Sequence, residues 1–318
     1  MNDIYRQRLA GGLIGYAVGD ALGLGTEFMT AKEAEMRYPE GLTDYSQIIR
    51  DAHRGQWRRG DITNDTRILL HITEEIMKQG HIDLQAIARR LVDWYDDDHT
   101  TDHIACIRWC LSDPDYISDP IGTTRKVWSQ MGHFDSTNEA IGRAILGATL
   151  HDNPREVTSS LVRITHYGAR CLCTAHIVGH TAYDLLWHGH VTPIEALASL
   201  ARKFDETVVP YLYRAYEGTL EDLKLDDEDL YNDAAHSMMA ALWPLWHCES
   251  VDDTLSSIVM AAGDADTNAA LALSLAGMLY GYDALPKHLI EGLVEREYIE
   301  DVTGRWSDFV LANLDRHS

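Results

Sequence analysis

Apolar residues recur at i, i+3 and i+4 along most of the chain, and strict polar–apolar alternation is nearly absent. From Ile68, Leu69 and Leu70 to Met77 the spacing is helical, with Glu74, Glu75 and Lys78 on the polar side. The same period runs through residues 84–95, 141–150, 171–186, 194–204, 234–246 and 251–262. Pro39, Pro120, Pro154, Pro193 and Pro286 fall between these stretches, where helices start or stop. No Gly/Ser-rich linker, low-complexity tract or clear internal repeat divides the chain. The pattern predicts an all-α fold, one compact domain over residues 1–318 made of about a dozen helices.

Gly11, Gly15, Gly19 and Gly23 stand four apart and form one bare ridge on a helix. Each glycine costs about 1 kcal/mol in a helix interior relative to alanine, so four are tolerated only where another backbone approaches closely. A mate is available in Ala269, Ala270, Ala272, Ser274, Ala276, Gly277 and Gly281. Packing of the two helices brings the end that carries Asp20 and Glu27 towards Asp264 and Asp266. The segment Gly19–Gly23 is no dinucleotide fingerprint, since no strand precedes it, and no Gly-Lys-Ser/Thr follows as in a phosphate-binding loop.

Composition narrows the partners. With 27 basic and 50 acidic residues the formal charge is −23, which excludes a nucleic-acid backbone as a ligand. The surplus acid serves solubility first, and a few carboxylates suffice for metal binding. The acidic run 221–229 is expected as a solvated loop or helix face. Cys106, Cys110, Cys171, Cys173 and Cys248 have no framework or zinc-knuckle spacing and are expected as free core thiols in a reducing compartment. The N-terminus lacks a secretory signal pattern, and no uncharged apolar run reaches about 18 residues, so a cytoplasmic chain with no membrane partner is expected. Nothing in the composition demands a second subunit, and a monomer is expected.

Two oxygen-rich clusters carry the candidate chemistry: Thr63-Asn64-Asp65-Thr66, and Gly263-Asp264-Ala265-Asp266-Thr267-Asn268. Helix starts favour Thr, Asn and Asp because their side chains accept from the first amides, so each cluster alone reads equally well as a cap. Together with Glu27 they supply enough oxygens for two octahedral cations, Mg²⁺ or Mn²⁺, whereas no His-Glu-x-x-His motif favours zinc. Two such ions can clamp a substrate hydroxyl and a water, and a helix N-terminus beside them can hold a pyrophosphate. The residues thus point to a binuclear metal hydrolase of a phosphate- or sugar-bearing ligand.

At these residues the chain resembles the ADP-ribosylglycohydrolase family, over nearly its whole length. Gly15–Gly23 followed by Glu27-Phe28 is similar to the family's first motif, and Thr63-Asn64-Asp65-Thr66 to its Thr-Asp-Asp-Thr. Ser136–Ala144 resembles the substrate loop more loosely, and Thr165-His166 resembles a Thr-His helix start. Gly263–Ala270 is similar to the Gly-Asp-Thr-Asp-Thr signature, and Gly277, Gly281 and Pro286 to the closing helix. The resemblance implies a helical fold with two Mg²⁺ or Mn²⁺ ions in a central cleft. It implies hydrolysis of a glycosidic bond at C1″ of ADP-ribose on a protein side chain, or in a smaller ADP-ribose-containing molecule. Thr63, Asn64, Asp65, Asp264, Asp266 and Thr267 would then be metal ligands, and Glu27, Asp65 and Asp266 the catalytic carboxylates. Asn138, His166 and Asp20 would serve substrate binding, with capping of a neighbouring helix as the other reading of Asp20.

Three departures bear on substrate and metal. Asn64 stands where the family has Asp, which removes a charge from one ion unless Asp61 supplies it. Ile62 replaces the usual tryptophan, and Thr137, Glu139 and Gly142 depart from a small, glycine-rich loop. A metal-dependent hydrolase of a small nucleoside, nucleotide or phosphosugar, and a disabled binding protein on the same scaffold, stand as the alternatives.

Overall fold

The computed structural model describes residues 2–97, 105–133, 136–151 and 153–317; Met1 and Ser318, the ends of the expected domain, lie outside the described residues. The first half holds α1 (Asn2–Gly23), α2 (Ala31–Arg37), α3 (Asn64–Gln79), α4 (Leu84–Asp97), α5 (Ala105–Leu111), α6 (Pro120–Gln130), α7 (Arg143–Thr149) and α8 (Pro154–Arg163). The second half holds α9 (Ala169–Tyr183), α10 (Ile194–Phe204), α11 (Val209–Glu217), α12 (Ala234–Leu242), α13 (Pro244–His247), α14 (Val251–Ala261), α15 (Ala265–Tyr280), α16 (Lys287–Gly292) and α17 (Arg296–His317). The only β pairing among the described residues is an isolated bridge between Thr137 and Asp233. The all-α class is as expected, but the helices outnumber the expected dozen. Several, such as α5 and α16, are two turns or fewer, too short for a period to declare itself. Pro244 splits the expected 234–246 stretch, and the expected 171–186 stretch leaves α geometry at Asp184 for a π turn over Asp184–His188.

The core is organised around α1 and α15. On α15 every residue from Ala265 to Met278 is buried, which is how a helix apolar on all sides behaves. A Cβ on Gly11 would lie 2.1 Å from the Gly277 carbonyl oxygen, on Gly15 2.6 Å from that of Leu273, on Gly19 2.2 Å from that of Ala269 and on Gly23 2.2 Å from that of Ala265. The two helices therefore run antiparallel in backbone contact over four turns, with a seam of 265, 269, 273 and 277. One member of that seam, Leu273, presents its carbonyl and turns its side chain into the core. A single hydrophobic cluster extends outward from this pair through α3, α7, α9, α12, α14 and α17. The acidic run 221–229 is only partly solvated: Leu223 and Leu225 are buried, and the Leu225 carbonyl would lie 1.9 Å from a Cβ on Gly263.

Candidate metal centre

The seam fixes where the acids meet. At its last step, a Cβ on Gly23 would touch the Asp266 Cα at 2.6 Å, so the turn after α1 lies on the first turn of α15. The chain enters α15 through two consecutive residues with positive φ, Ala262 (61°) and Gly263 (74°). That conformation is costly for alanine and is held by its surroundings. Phe28 N donates to the Gly263 carbonyl at 2.7 Å, Gly263 N donates to the Met29 carbonyl at 3.0 Å, and Thr26 Oγ1 donates to the Val259 carbonyl at 2.6 Å. The segment 26–29 is thereby laced to the α14–α15 turn, and Glu27 comes with it.

Carboxylate oxygens of Glu27, Asp264 and Asp266 lie within 4.8 Å of one another, and all three residues are buried. Asp65 joins them from the first turn of α3: Thr267 Oγ1 donates to Asp65 Oδ2 at 2.7 Å, across 202 residues of sequence. Thr63 caps α3, its hydroxyl accepting from Asp65 N at 3.3 Å, and Thr267 N donates to Asp266 Oδ1 at 2.8 Å. Asn138 is fully buried and donates through Nδ2 to Ser237 Oγ at 2.7 Å and to Asp264 Oδ2. Its Oδ1 has no hydrogen-bond partner in the protein. Asn64 is the first, half-buried residue of α3.

Two of the candidates stand elsewhere. Asp20 accepts from the amides of Thr63 (3.1 Å) and Thr66 (3.3 Å) and from the Thr66 hydroxyl, so it caps α3 from below. Of its two readings the geometry gives the cap; its oxygens are engaged by donors that a substrate would have to displace. His166 lies in the turn between α8 and α9, three residues before Ala169, so Thr165-His166 does not start a helix. Its Nε2 lies 2.8 Å from Thr137 Oγ1 and 3.4 Å from Cys106 Sγ, beneath the 136–142 loop. Asp61, considered as a replacement for the charge missing at Asn64, is paired with Arg58 at 3.4 Å and Arg67 at 3.3 Å. Those two guanidiniums already balance it.

Electrostatics explain why this arrangement needs cations. Burial raises the proton affinity of Asp65 well above the usual carboxylate range, and the charges of Asp20 and Asp264 raise it further against the opposing Thr267 bond. Burial does the same to Asp266, reinforced by Glu27, Asp264 and Asp65. Asp20 is pushed up to about 6 by burial, with the Thr66 and Thr63 bonds opposing. Each ionised carboxylate in such a place costs several kcal/mol unless it is paired. Among the described residues the buried cationic side chains are Arg54 and Arg143, and neither bonds to the cluster's carboxylates. Arg54 donates to the Gly25 carbonyl, to the Glu27 carbonyl and to Asp51; Arg143 donates to the Leu161 carbonyl and to Thr165 Oγ1. Apart from His53 Nε2 beside Glu27, the groups that meet here are carboxylate, hydroxyl and amide oxygens, a donor set that fits hard divalent cations.

Sequence reasoning missed His53, whose Nε2 lies 2.7 Å from Glu27 Oε2. It comes from an irregular loop 26 residues away, with no period or motif to mark it. The same loop and its neighbours make an aromatic rim: Phe28, exposed and in the left-handed region (φ 56°), has its ring centroid 5.2 Å from that of His53 and 5.8 Å from that of Tyr231.

The sequence profile of the ADP-ribosylglycohydrolase family matches residues 1–317. The ADP-ribosyl-[dinitrogen reductase] glycohydrolase of Rhodospirillum rubrum is 28% identical over 323 residues, covering 97% of this chain and 97% of that protein. The ADP-ribosylarginine hydrolase Tri1 of Serratia proteamaculans is 24% identical over 313 residues, covering 92% of this chain and 76% of the relative. A solved ADP-ribosylglycohydrolase-related protein complex shares the fold with a TM-score of 0.71 at 23% identity, over 97% of this chain and 99% of that one. Among the described residues no helix is long and apolar enough to cross a membrane.

Proposed function

The chain belongs to the ADP-ribosylglycohydrolase family, and from that premise we propose that it is a Mg²⁺- or Mn²⁺-dependent hydrolase that removes ADP-ribose from a modified protein side chain. The observation that carries the reading is the buried convergence of the carboxylates of Glu27, Asp65, Asp264 and Asp266. Asp65, Asp264 and Asp266, with the oxygens of Thr63, Asn64 and Thr267, would hold two ions. Bound there, the ions would grip the ribose hydroxyls and lower the pKa of a water. Glu27 would take the proton from a water as its oxygen adds to C1″, and would pass that proton to the side-chain atom as the bond from C1″ to it breaks. The products are free ADP-ribose and the restored side chain. His53 orients Glu27 through its 2.7 Å contact, and Asn138 orients Asp264. Phe28 and Tyr231 at the rim offer ring faces on which a purine can stack. The protein acts as one domain over residues 1–318, as a cytoplasmic monomer. Relatives named for arginine-linked ADP-ribose favour that linkage first.

The test is release of free ADP-ribose from proteins modified on arginine or on serine, with Mg²⁺ added. Release from at least one linkage is expected, and its loss in Asp266→Asn with an unchanged circular dichroism spectrum. No release from any linkage would sink the proposal. The departures at Thr137, Glu139 and Gly142 support a second reading, a free ADP-ribosyl nucleotide as substrate, which the same assay detects with that compound in place of the protein.

A further inference from the structure

A second cluster lies beneath the 136–142 loop, and its donors differ from those of the carboxylate pocket. Cys106 Sγ comes from α5, Glu139 Oε2 from the loop and His166 Nε2 from the α8–α9 turn, and ligand atoms of all three lie within 4.8 Å of one another. The sulfur–nitrogen distance is 3.4 Å and the nitrogen–oxygen distance 3.8 Å. Bonds of about 2.0–2.3 Å to a tetrahedral Zn²⁺ place neighbouring ligand atoms roughly 3.3–3.8 Å apart. Thr137 Oγ1 is hydrogen-bonded to the same group, 2.8 Å from His166 Nε2 and 3.7 Å from Cys106 Sγ; the first distance is shorter than a tetrahedral edge, so the fourth corner falls to a water.

Charge and support fit the same ion. A thiolate, a carboxylate and a neutral imidazole together balance a dication, and a neutral assembly is the one that burial penalises least. Mg²⁺ avoids sulfur and nitrogen, whereas Zn²⁺ accepts this mixed set, so the two pockets select different metals. The far nitrogen of the imidazole, Nδ1, lies 2.8 Å from Thr165 Oγ1, which accepts from the buried Arg143 at 2.6 Å. That outer contact fixes the ring with Nε2 towards the cluster, as in histidine–metal sites.

We propose that Cys106, Glu139 and His166 form a separate site for one Zn²⁺-class cation, assembled from three segments and therefore invisible in cysteine spacing. Its occupancy ties α5 and the α8–α9 turn to the loop that presents Asn138 to Asp264. The inference does not rest on the hydrolase reading, because its test is a spectrum. Full-length protein, stripped with chelator and resupplied with excess Mg²⁺, is titrated with Co²⁺ and followed by the sulfur-to-cobalt charge-transfer absorption. One cobalt per chain with that absorption is expected in the wild type and in Cys248→Ser, and Zn²⁺ should displace it. Cys106→Ser should lose the absorption, and Glu139→Gln should weaken cobalt binding at least tenfold. Absence of the absorption in the wild type, or its survival in Cys106→Ser, would overturn the proposal. X-ray absorption of the zinc-loaded wild type tests the same point without any variant, since it reads sulfur ligation directly: a Zn–S shell is expected, and a shell of oxygen and nitrogen alone would overturn the proposal.

Discussion

Gly19→Ala tests the seam on which the whole site is built. The new Cβ would lie 2.2 Å from the Ala269 carbonyl oxygen, 2.5 Å from its carbon and 2.7 Å from Ala270 N, all backbone atoms that no rotamer can move. Ordinary contact begins near 3.4 Å, so α1 and α15 must part locally by about 1 Å. Alanine gains about 1 kcal/mol of helix propensity over glycine. Overpacking costs about 1–3 kcal/mol, and backbone against backbone belongs at the upper end, which leaves a net loss of about 2 kcal/mol. Gly304→Ala on α17 is the matched control: nothing lies within 4 Å of its Cβ, so it should stabilise by up to about 1 kcal/mol. Urea denaturation midpoints at equal slope measure both. The same change in chemistry must shift the midpoint in opposite directions. A neutral or stabilising Gly19→Ala would refute the close antiparallel contact, and with it the route by which Glu27 and Asp266 meet.

The remaining predictions concern the charges. Asp65→Asn removes one like charge from the cluster, so the metal-free protein should melt no lower than wild type while its Mg²⁺-induced rise in Tm disappears; wild-type response would contradict a ligand role. At a cation concentration of 100 Kd that rise corresponds to about 2.7 kcal/mol in the wild type. Asp20, Asp65 and Asp266 have folded pKa values raised above their unfolded ones, so the stability they contribute is present below about pH 4 and is lost as pH rises, through about 6 for Asp20. Because protons and cations compete for the oxygens of Asp65 and Asp266, whose proton affinity is raised, the Tm gain from saturating Mg²⁺ should grow as pH rises from acid towards neutral, and a gain that shrinks would contradict this account. Asp61→Asn breaks the pairs with Arg58 and Arg67 at a cost of about 1 kcal/mol or less but should leave Mg²⁺ affinity unchanged; a tenfold loss would restore Asp61 as a ligand.

Much of the site is legible in the chain itself, because helix physics links spacing to place. The four-residue glycine period predicts a backbone contact, and that contact alone brings the ends of α1 and α15 together. The oxygen-rich helix starts at Thr63 and Asp264 are ambiguous one by one, and the Thr267–Asp65 bond is what unites them. Asp20 and Asp65 illustrate the limit: both are acids beside the same helix start, yet one caps its amides and the other faces the acids of α15. That difference is one of direction, which residue type does not encode. His53, Ser237 and the Cys106–Glu139–His166 group are hidden for another reason. Their partners lie tens to about a hundred residues away through irregular turns, where neither period nor motif links them.

The claim at the centre is that four buried carboxylates exist to hold divalent cations. Equilibrium dialysis of chelator-stripped Cys106→Ser protein against Mn²⁺, which leaves the carboxylate pocket intact, counts the ions directly. Two per chain are expected, falling to one or none when Asp264→Asn or Asp266→Asn is added. No bound Mn²⁺, or the same two ions in both carboxylate variants, would contradict it.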